Sequence, residues 1–160
     1  MDHLWSPWRY SYLKAAPAEG CVFCAIGSAA PEQDAEMLVV YRGKANFVVL
    51  NRYPYTSGHA MVIPYAHHAT LEEAPQETAV ELMLLTQKLE AALRSLYRAE
   101  GVNIGMNIGK AAGAGVAGHI HMHALPRWVA DSNFVTVVGE TRILPEELDI
   151  TWKRLREALA

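Results

Sequence analysis

A chain of 160 residues, 51% of them apolar, is long enough for one domain with a proper core and too short for two, so a single domain over residues 1–160 is expected. A net charge of −3 without any run of Lys and Arg excludes a nucleic-acid groove, which must replace counterions with clustered cations. No apolar stretch approaches the ~20 residues of a membrane span and no signal-peptide pattern opens the chain, so a cytoplasmic protein that makes no membrane contact is expected.

Residues 1–20 are aromatic and Pro-punctuated without a clear period, the pattern of an arm that packs on something else. Met37–Tyr41 and Asn46–Leu50 read as a hairpin about Arg42-Gly43-Lys44-Ala45, and His59–Ile63 as the next strand, with Pro54 and Gly58 marking the turn between. From Gln76 to Ala99, Leu82, Leu85, Leu89, Leu93 and Leu96 recur at helical spacing, with Pro75 near the start and Gly101 as the stop. Val102, Ile104, Met106 and Ile108 then alternate with Asn103, Gly105, Asn107 and Gly109, which predicts a strand with one polar, small-residue face. Leu148, Trp152, Leu155 and Leu159 give a second amphipathic helix behind Pro145, read as its N1 proline. The order predicts an α+β fold, an antiparallel sheet meander with two main helices on one face.

The most informative segment is Gly118-His119-Ile120-His121-Met122-His123-Ala124-Leu125. A strand here lifts His119, His121 and His123 onto one face and sends Ile120, Met122 and Ala124 into a core. Imidazole is base, nucleophile and the commonest metal ligand near neutral pH, so the choice lies between transfer through a covalent histidine and a metal. One ion held by all three is disfavoured, because their heads spread over ~13 Å along a strand. The run is internal and alternating, which excludes an affinity tag.

Two other motifs need sorting. Gly113-Ala114-Gly115-Val116-Ala117-Gly118 matches the dinucleotide fingerprint, but that pattern works only between a strand and a helix N-terminus, and here it leads into the triad segment. The better reading is a loop around Gly113 and Gly115 whose bare backbone lets phosphate oxygens approach N–H groups. Cys21-Val22-Phe23-Cys24 lacks the βαβ setting of a redox pair. Its two thiols would need two more ligands for a tetrahedral zinc, and His67 or His68 with a triad histidine can supply them.

His119-Ile120-His121-Met122-His123-Ala124-Leu125 resembles the signature of the histidine triad family of nucleotide hydrolases and transferases. The likeness extends upstream through Leu50 to Pro64 and downstream to Pro126-Arg127-Trp128 and Asn133-Phe134, which resemble the branch that cleaves dinucleoside polyphosphates. Leu4-Trp5-Ser6-Pro7-Trp8-Arg9 is similar to that branch's aromatic N-terminal arm. The resemblance implies the histidine triad fold, a homodimer, and a structural zinc on Cys21, Cys24, His67 and His119.

It further implies that His121 attacks an α-phosphorus to give a nucleotidyl-histidine, with one nitrogen held as N–H by an acceptor such as a backbone carbonyl. His123 and His59 match the remaining site histidines, expected to hydrogen-bond the phosphate and supply positive charge, while His119 helps orient the strand. Asn51 matches the ribose-holding position and Asn107 a phosphate-contacting asparagine; Arg127 and Lys110 could meet free phosphate. Gly115 stands where many family hydrolases carry Gln, which removes an amide from the leaving oxygen and leaves room for an acceptor other than water. The expected reaction is phosphorolysis of a dinucleoside polyphosphate such as diadenosine tetraphosphate to ATP and ADP. Hydrolysis of that substrate or of a nucleoside phosphoramidate, and a non-catalytic zinc- and nucleotide-binding protein, are the alternatives. Activity is expected to decline below pH ~6.5 as imidazole protonates.

Overall fold

The computed structural model describes residues 20–129, 131, 136, 138 and 144–160. The expected aromatic arm, Gly20 apart, and the Asn133-Phe134 pair lie outside these residues. Five antiparallel-paired strands run β1 Val39–Arg42, β2 Asn46–Leu50, β3 Ala60–Pro64, β4 Gly101–Gly105 and β5 Met122–Arg127. A short turn through Gly43 joins β1 to β2, and a loop over residues 51–59 that carries Gly58 joins β2 to β3. Among the described residues four α-helices accompany them: α1 Val22–Ser28, α2 Asp34–Met37, α3 Gln76–Tyr97 and α4 Leu148–Leu159.

The fold class stands, with two corrections to the expected meander with two main helices. The sheet order is β1-β2-β3-β5-β4, so β5 inserts between β3 and β4. The 22 residues of α3 span ~33 Å at 1.5 Å per residue, enough to carry the chain past one strand position and leave a slot for β5. Helices α1 and α2 are too short for a helical period to show in the sequence.

Helices α3 and α4 cover the sheet, α3 on β2 to β5 and α4 on β1, and the core between them includes Phe47, Ile63, Leu89, Leu93 and Leu155. Helix α3 ends at Tyr97 because Arg98 turns left-handed at φ 49°, whereas the expected stop, Gly101, opens β4. Pro145 lies ahead of the α4 cap at Glu147, outside the helix rather than at its first turn. Trp152 donates to the Val39 carbonyl at 2.8 Å, and Arg156 and Arg42 both reach the buried Asp34 carboxylate, at 3.0 and 2.7 Å. Arg42 also donates to the Gly27 and Ala29 carbonyls, so one buried acid ties α1, α2, β1 and α4 together.

No helix of the described residues is long and apolar enough to cross a membrane. Gly58 takes φ +81°, and a Cβ there would meet the Tyr97 ring at 3.0 Å and Leu93 and Pro126 at 3.2 Å. Gly58→Ala is therefore expected to cost roughly 1–3 kcal/mol from backbone strain plus overpacking. Chemical denaturation reads this directly, and an unchanged midpoint would show that the turn relaxes freely.

Candidate functional site

The triad does not lie in one regular strand. The β3–β5 ladder stops at Val62 and Met122, and Ile120 N–H bonds instead to the His68 carbonyl at 2.8 Å. His119 and His121 thus precede β5, and only His123 sits within it, beside Met61 on β3 and Gly105 on β4. The expected strand Val102–Ile108 likewise ends at Gly105, which leaves Asn107 in an exposed loop.

His121 is 5% exposed, and its Nδ1–H donates to the His119 carbonyl at 2.9 Å. That bond fixes the tautomer with a lone pair on Nε2. Phe23 of α1 packs on the same ring at 4.9 Å between centroids. His123 meets it edge to face, also at 4.9 Å. His59, just ahead of β3 and 1% exposed, has Nε2 at 2.8 Å from Nδ1 of His123 and receives the Tyr55 backbone N–H on Nδ1 at 3.2 Å. The Tyr55 ring lies over His59 at 4.7 Å. Phe23 and Tyr55 were not singled out from the sequence, although Phe23 lies inside the cysteine pair and Tyr55 shortly before the Gly58-His59 turn.

These rings are neutral at neutral pH. Burial, with the nearby His123 and His121 rings, pulls His59 down to about 3, and burial with His121 pulls His123 down to about 4. His121 is also lowered, by burial. Without a ligand His59 and His123 therefore offer hydrogen bonds and carry no standing charge, and the acid decline in activity moves below pH 6.5. Stability follows by linkage: the unfolded rings bind protons near 6.5 and the folded ones do not, so stability is full above 6.5 and is lost as pH falls toward 4 and 3. His59 alone should contribute up to about 1.4 kcal/mol per pH unit in that window. Denaturation of wild type and His59→Gln at several pH values tests it; equal slopes would defeat the assignment.

His119 is occupied elsewhere. Its Nδ1 lies 3.3 Å from Cys21 Sγ and 3.6 Å from Cys24 Sγ, and its Nε2–H donates to the Pro64 carbonyl at 2.9 Å. His67 Nδ1 is 3.3 Å from Cys24 Sγ, and ligand atoms from Cys21, Cys24, His67 and His119 all fall within 4.8 Å of one another. A tetrahedral zinc with ~2.0–2.3 Å bonds needs ligand separations of ~3.3–3.8 Å, so the donor set fits a metal ion. The Pro64 carbonyl supplies the outer partner that a ligating histidine needs. Of the two histidines left open by the sequence, His67 joins the cluster and His68 does not.

The remaining expected residues divide. Asn51 accepts the Tyr53 N–H at 2.9 Å, and its amide nitrogen sits 3.4 Å from both nitrogens of His59, which places it over that ring rather than along a lone pair. Gly113, at φ +90°, and Gly115 lie in the open loop ahead of His119, with nothing near their would-be Cβ atoms. The Gly113 N–H is spent on the Lys110 carbonyl at 3.0 Å, so an anion must use other N–H groups there. Arg127 is already paired: its guanidinium donates to Asp131 and, at 2.9 Å, to Asn103.

A sheet carrying a lone-pair imidazole beside a hydrogen-bonded imidazole pair, with a Cys–His cluster behind it, defines the class: the HIT domain profile matches residues 32–129, and the chain belongs to the histidine triad (HIT) family. It is 38% identical over 161 residues to a Mycobacterium tuberculosis (strain H37Rv) protein named AP-4-A phosphorylase, an alignment covering 97% of this chain and 83% of that one. Among solved structures it resembles a zinc-bound histidine triad family protein from Mycobacterium smegmatis, at 33% identity and TM-score 0.71, covering 88% of this chain and 93% of that one. It also resembles a hypothetical histidine triad nucleotide-binding protein from Sulfolobus tokodaii, at 28% identity and TM-score 0.69, with 87% and 91% covered.

Proposed function

We propose that this chain is a nucleotidyl-transferring enzyme that cleaves dinucleoside polyphosphates such as diadenosine tetraphosphate through a nucleotide carried on His121. The observation that carries the reading is the Nδ1–H of His121 held by the His119 carbonyl, which leaves Nε2 as a free lone pair on a neutral ring. Attack on an α-phosphorus splits one displacement into two, and His123 with His59 behind it offers hydrogen bonds to the phosphate oxygens. Asn51 would hold the ribose once its amide leaves the His59 ring, and Asn107 with the open loop at Gly113 and Gly115 would meet the phosphate chain. Arg127 would join only by leaving Asp131 and Asn103.

Inorganic phosphate is proposed as the acceptor, supported by the named M. tuberculosis relative and by Gly115 at the position where many family hydrolases carry Gln. Cys21, Cys24, His67 and His119 would hold a structural zinc that supplies no chemistry and ties α1 to the triad segment. One domain over 1–160, cytoplasmic and homodimeric, completes the proposal; Val80, Met83 and Leu84 on α3 and Ile104 on the edge strand β4 are exposed apolar surface for a second copy.

Incubation with diadenosine tetraphosphate, with and without phosphate, tests it. ATP plus ADP made only with phosphate signals phosphorolysis. ATP plus AMP in either case signals hydrolysis and overturns the acceptor. No turnover and no covalent nucleotide after quenching leaves the non-catalytic reading.

A further inference from the structure

We propose that the loop between β2 and β3 dictates which nitrogen of His123 carries its hydrogen, so that this ring faces substrate as a neutral hydrogen-bond donor; the proposal builds on the transfer reading above. The Tyr55 backbone N–H donates to Nδ1 of His59 at 3.2 Å. An amide N–H can aim only at a lone pair, so the neutral His59 ring carries its hydrogen on Nε2. That Nε2 is 2.8 Å from Nδ1 of His123, which therefore accepts, and the hydrogen of His123 is left on Nε2. Reversing the chain would put a hydrogen on Nδ1 of His59 against the Tyr55 N–H, two donors facing each other in a buried place. The backbone group has no second protonation state, so it sets the direction of the whole row.

The loop is built to hold that N–H still. His59 N–H bonds to the Thr56 carbonyl at 3.2 Å, Asn51 Oδ1 accepts the Tyr53 N–H, and Gly58 is seated against Tyr97, Leu93 and Pro126. The Tyr55 side chain covers the pair, its ring 4.7 Å from His59 and stacked at 6.4 Å on His123. Two backbone groups of opposite kind thus prepare two neighbouring imidazoles for opposite tasks. A carbonyl, that of His119, leaves His121 with a lone pair on Nε2; an N–H, that of Tyr55, leaves His123 with a hydrogen on Nε2.

In the first displacement the His121 Nε2 pair forms the N–P bond, the bridging P–O bond breaks, and its electron pair stays on the departing terminal phosphate. His123 gives that oxygen or a non-bridging one a hydrogen bond and keeps its proton, because a terminal phosphate leaves as a stable oxyanion. When the acceptor oxygen attacks, the P–N pair returns to Nε2 of His121.

Long-range proton–nitrogen NMR on the isotope-labelled full chain, at about pH 7.5 where the rings are neutral, reads which ring nitrogen is protonated. Nδ1 bare and Nε2 protonated in both His59 and His123 is the expected pattern. His59→Gln can still donate an amide hydrogen to Nδ1 of His123 and should preserve its form, whereas His59→Leu cannot and should give a mixture. In parallel, kcat of His59→Leu should fall at least about tenfold below that of His59→Gln with KM moved less, on the way to the ~10²–10³ of outright donor loss. A hydrogen on Nδ1 of His123 in wild type overturns the proposal, as does an unaltered His123 in His59→Leu. The spectrum needs no substrate, so a chain inert toward diadenosine tetraphosphate could still show the expected pattern, and an active one could lack it.

Discussion

His121→Asn should reduce turnover of diadenosine tetraphosphate by about 10⁴-fold or more while nucleotide affinity stays within about tenfold. The expectation follows from what the ring does and does not hold. Its Nδ1 is spent on a backbone carbonyl, and its flanks rest on Phe23 and His123, so few structural duties depend on the attacking nitrogen. Asn can still donate an amide hydrogen to the His119 carbonyl, which keeps the segment in place and preserves the pocket. It has no nitrogen lone pair to attack phosphorus, because the amide pair is delocalised. Mass spectrometry after acid-free quenching should find a nucleotide on wild type and none on the variant. Turnover at wild-type rate in His121→Asn would remove this residue from the chemistry, and a large loss of affinity together with rate would mean that the substitution had collapsed the pocket instead.

The alternation of imidazoles was legible because it is local: a period of two over a few residues reports one face wherever the backbone is extended. What it could not report is that the ladder ends at Met122 and that Ile120 bonds to the loop after β3. That depends on where residues 64 to 68 run, a non-local fact. The Cys21–His119 approach spans 98 positions: the thiol pair asked for a triad histidine, but no period or spacing said which, and the choice of His119 came only from family likeness. Arg127 shows a different limit. A cation near the site suggested phosphate, but charge in a sequence says nothing of what already satisfies it, and Asp131 and Asn103 satisfy this one.

The fold divides along the same line. Helix α3 was legible from five leucines over about four turns, long enough for periodicity to outweigh everything else. Its end was not: the left-handed residue is Arg98 at φ 49°, three positions ahead of β4, where Gly101 was the expected breaker, and an arginine carries no mark in a sequence of that uncommon conformation. The insertion of β5 between β3 and β4 was not written in any segment. Each strand's pattern states that it is half-buried, and pairing order is settled by how far the α3 crossover carries the chain.

Stripping metal from the cysteine–histidine cluster should lower both stability and kcat. If zinc occupies the site at a thousandfold over its dissociation constant, it contributes about 4 kcal/mol by mass action, which for a chain of this size corresponds to a melting shift of about 8–16 °C. The shift should vanish in Cys24→Ser, since that thiol lies within reach of both His67 and His119. The effect on rate has a specific route through the chain. His119 is held at its ring by the cluster and the Pro64 carbonyl, and its own carbonyl is the acceptor that fixes the His121 tautomer. Loosening His119 lets His121 turn, and a fraction of the molecules then presents N–H where a lone pair is needed. Chelation should therefore lower kcat with little change in KM, and added zinc should restore it in wild type but not in Cys24→Ser. A chelated protein that melts unchanged would show that these four residues hold no metal, and one that melts lower at unchanged kcat would sever the link between the cluster and the attacking ring.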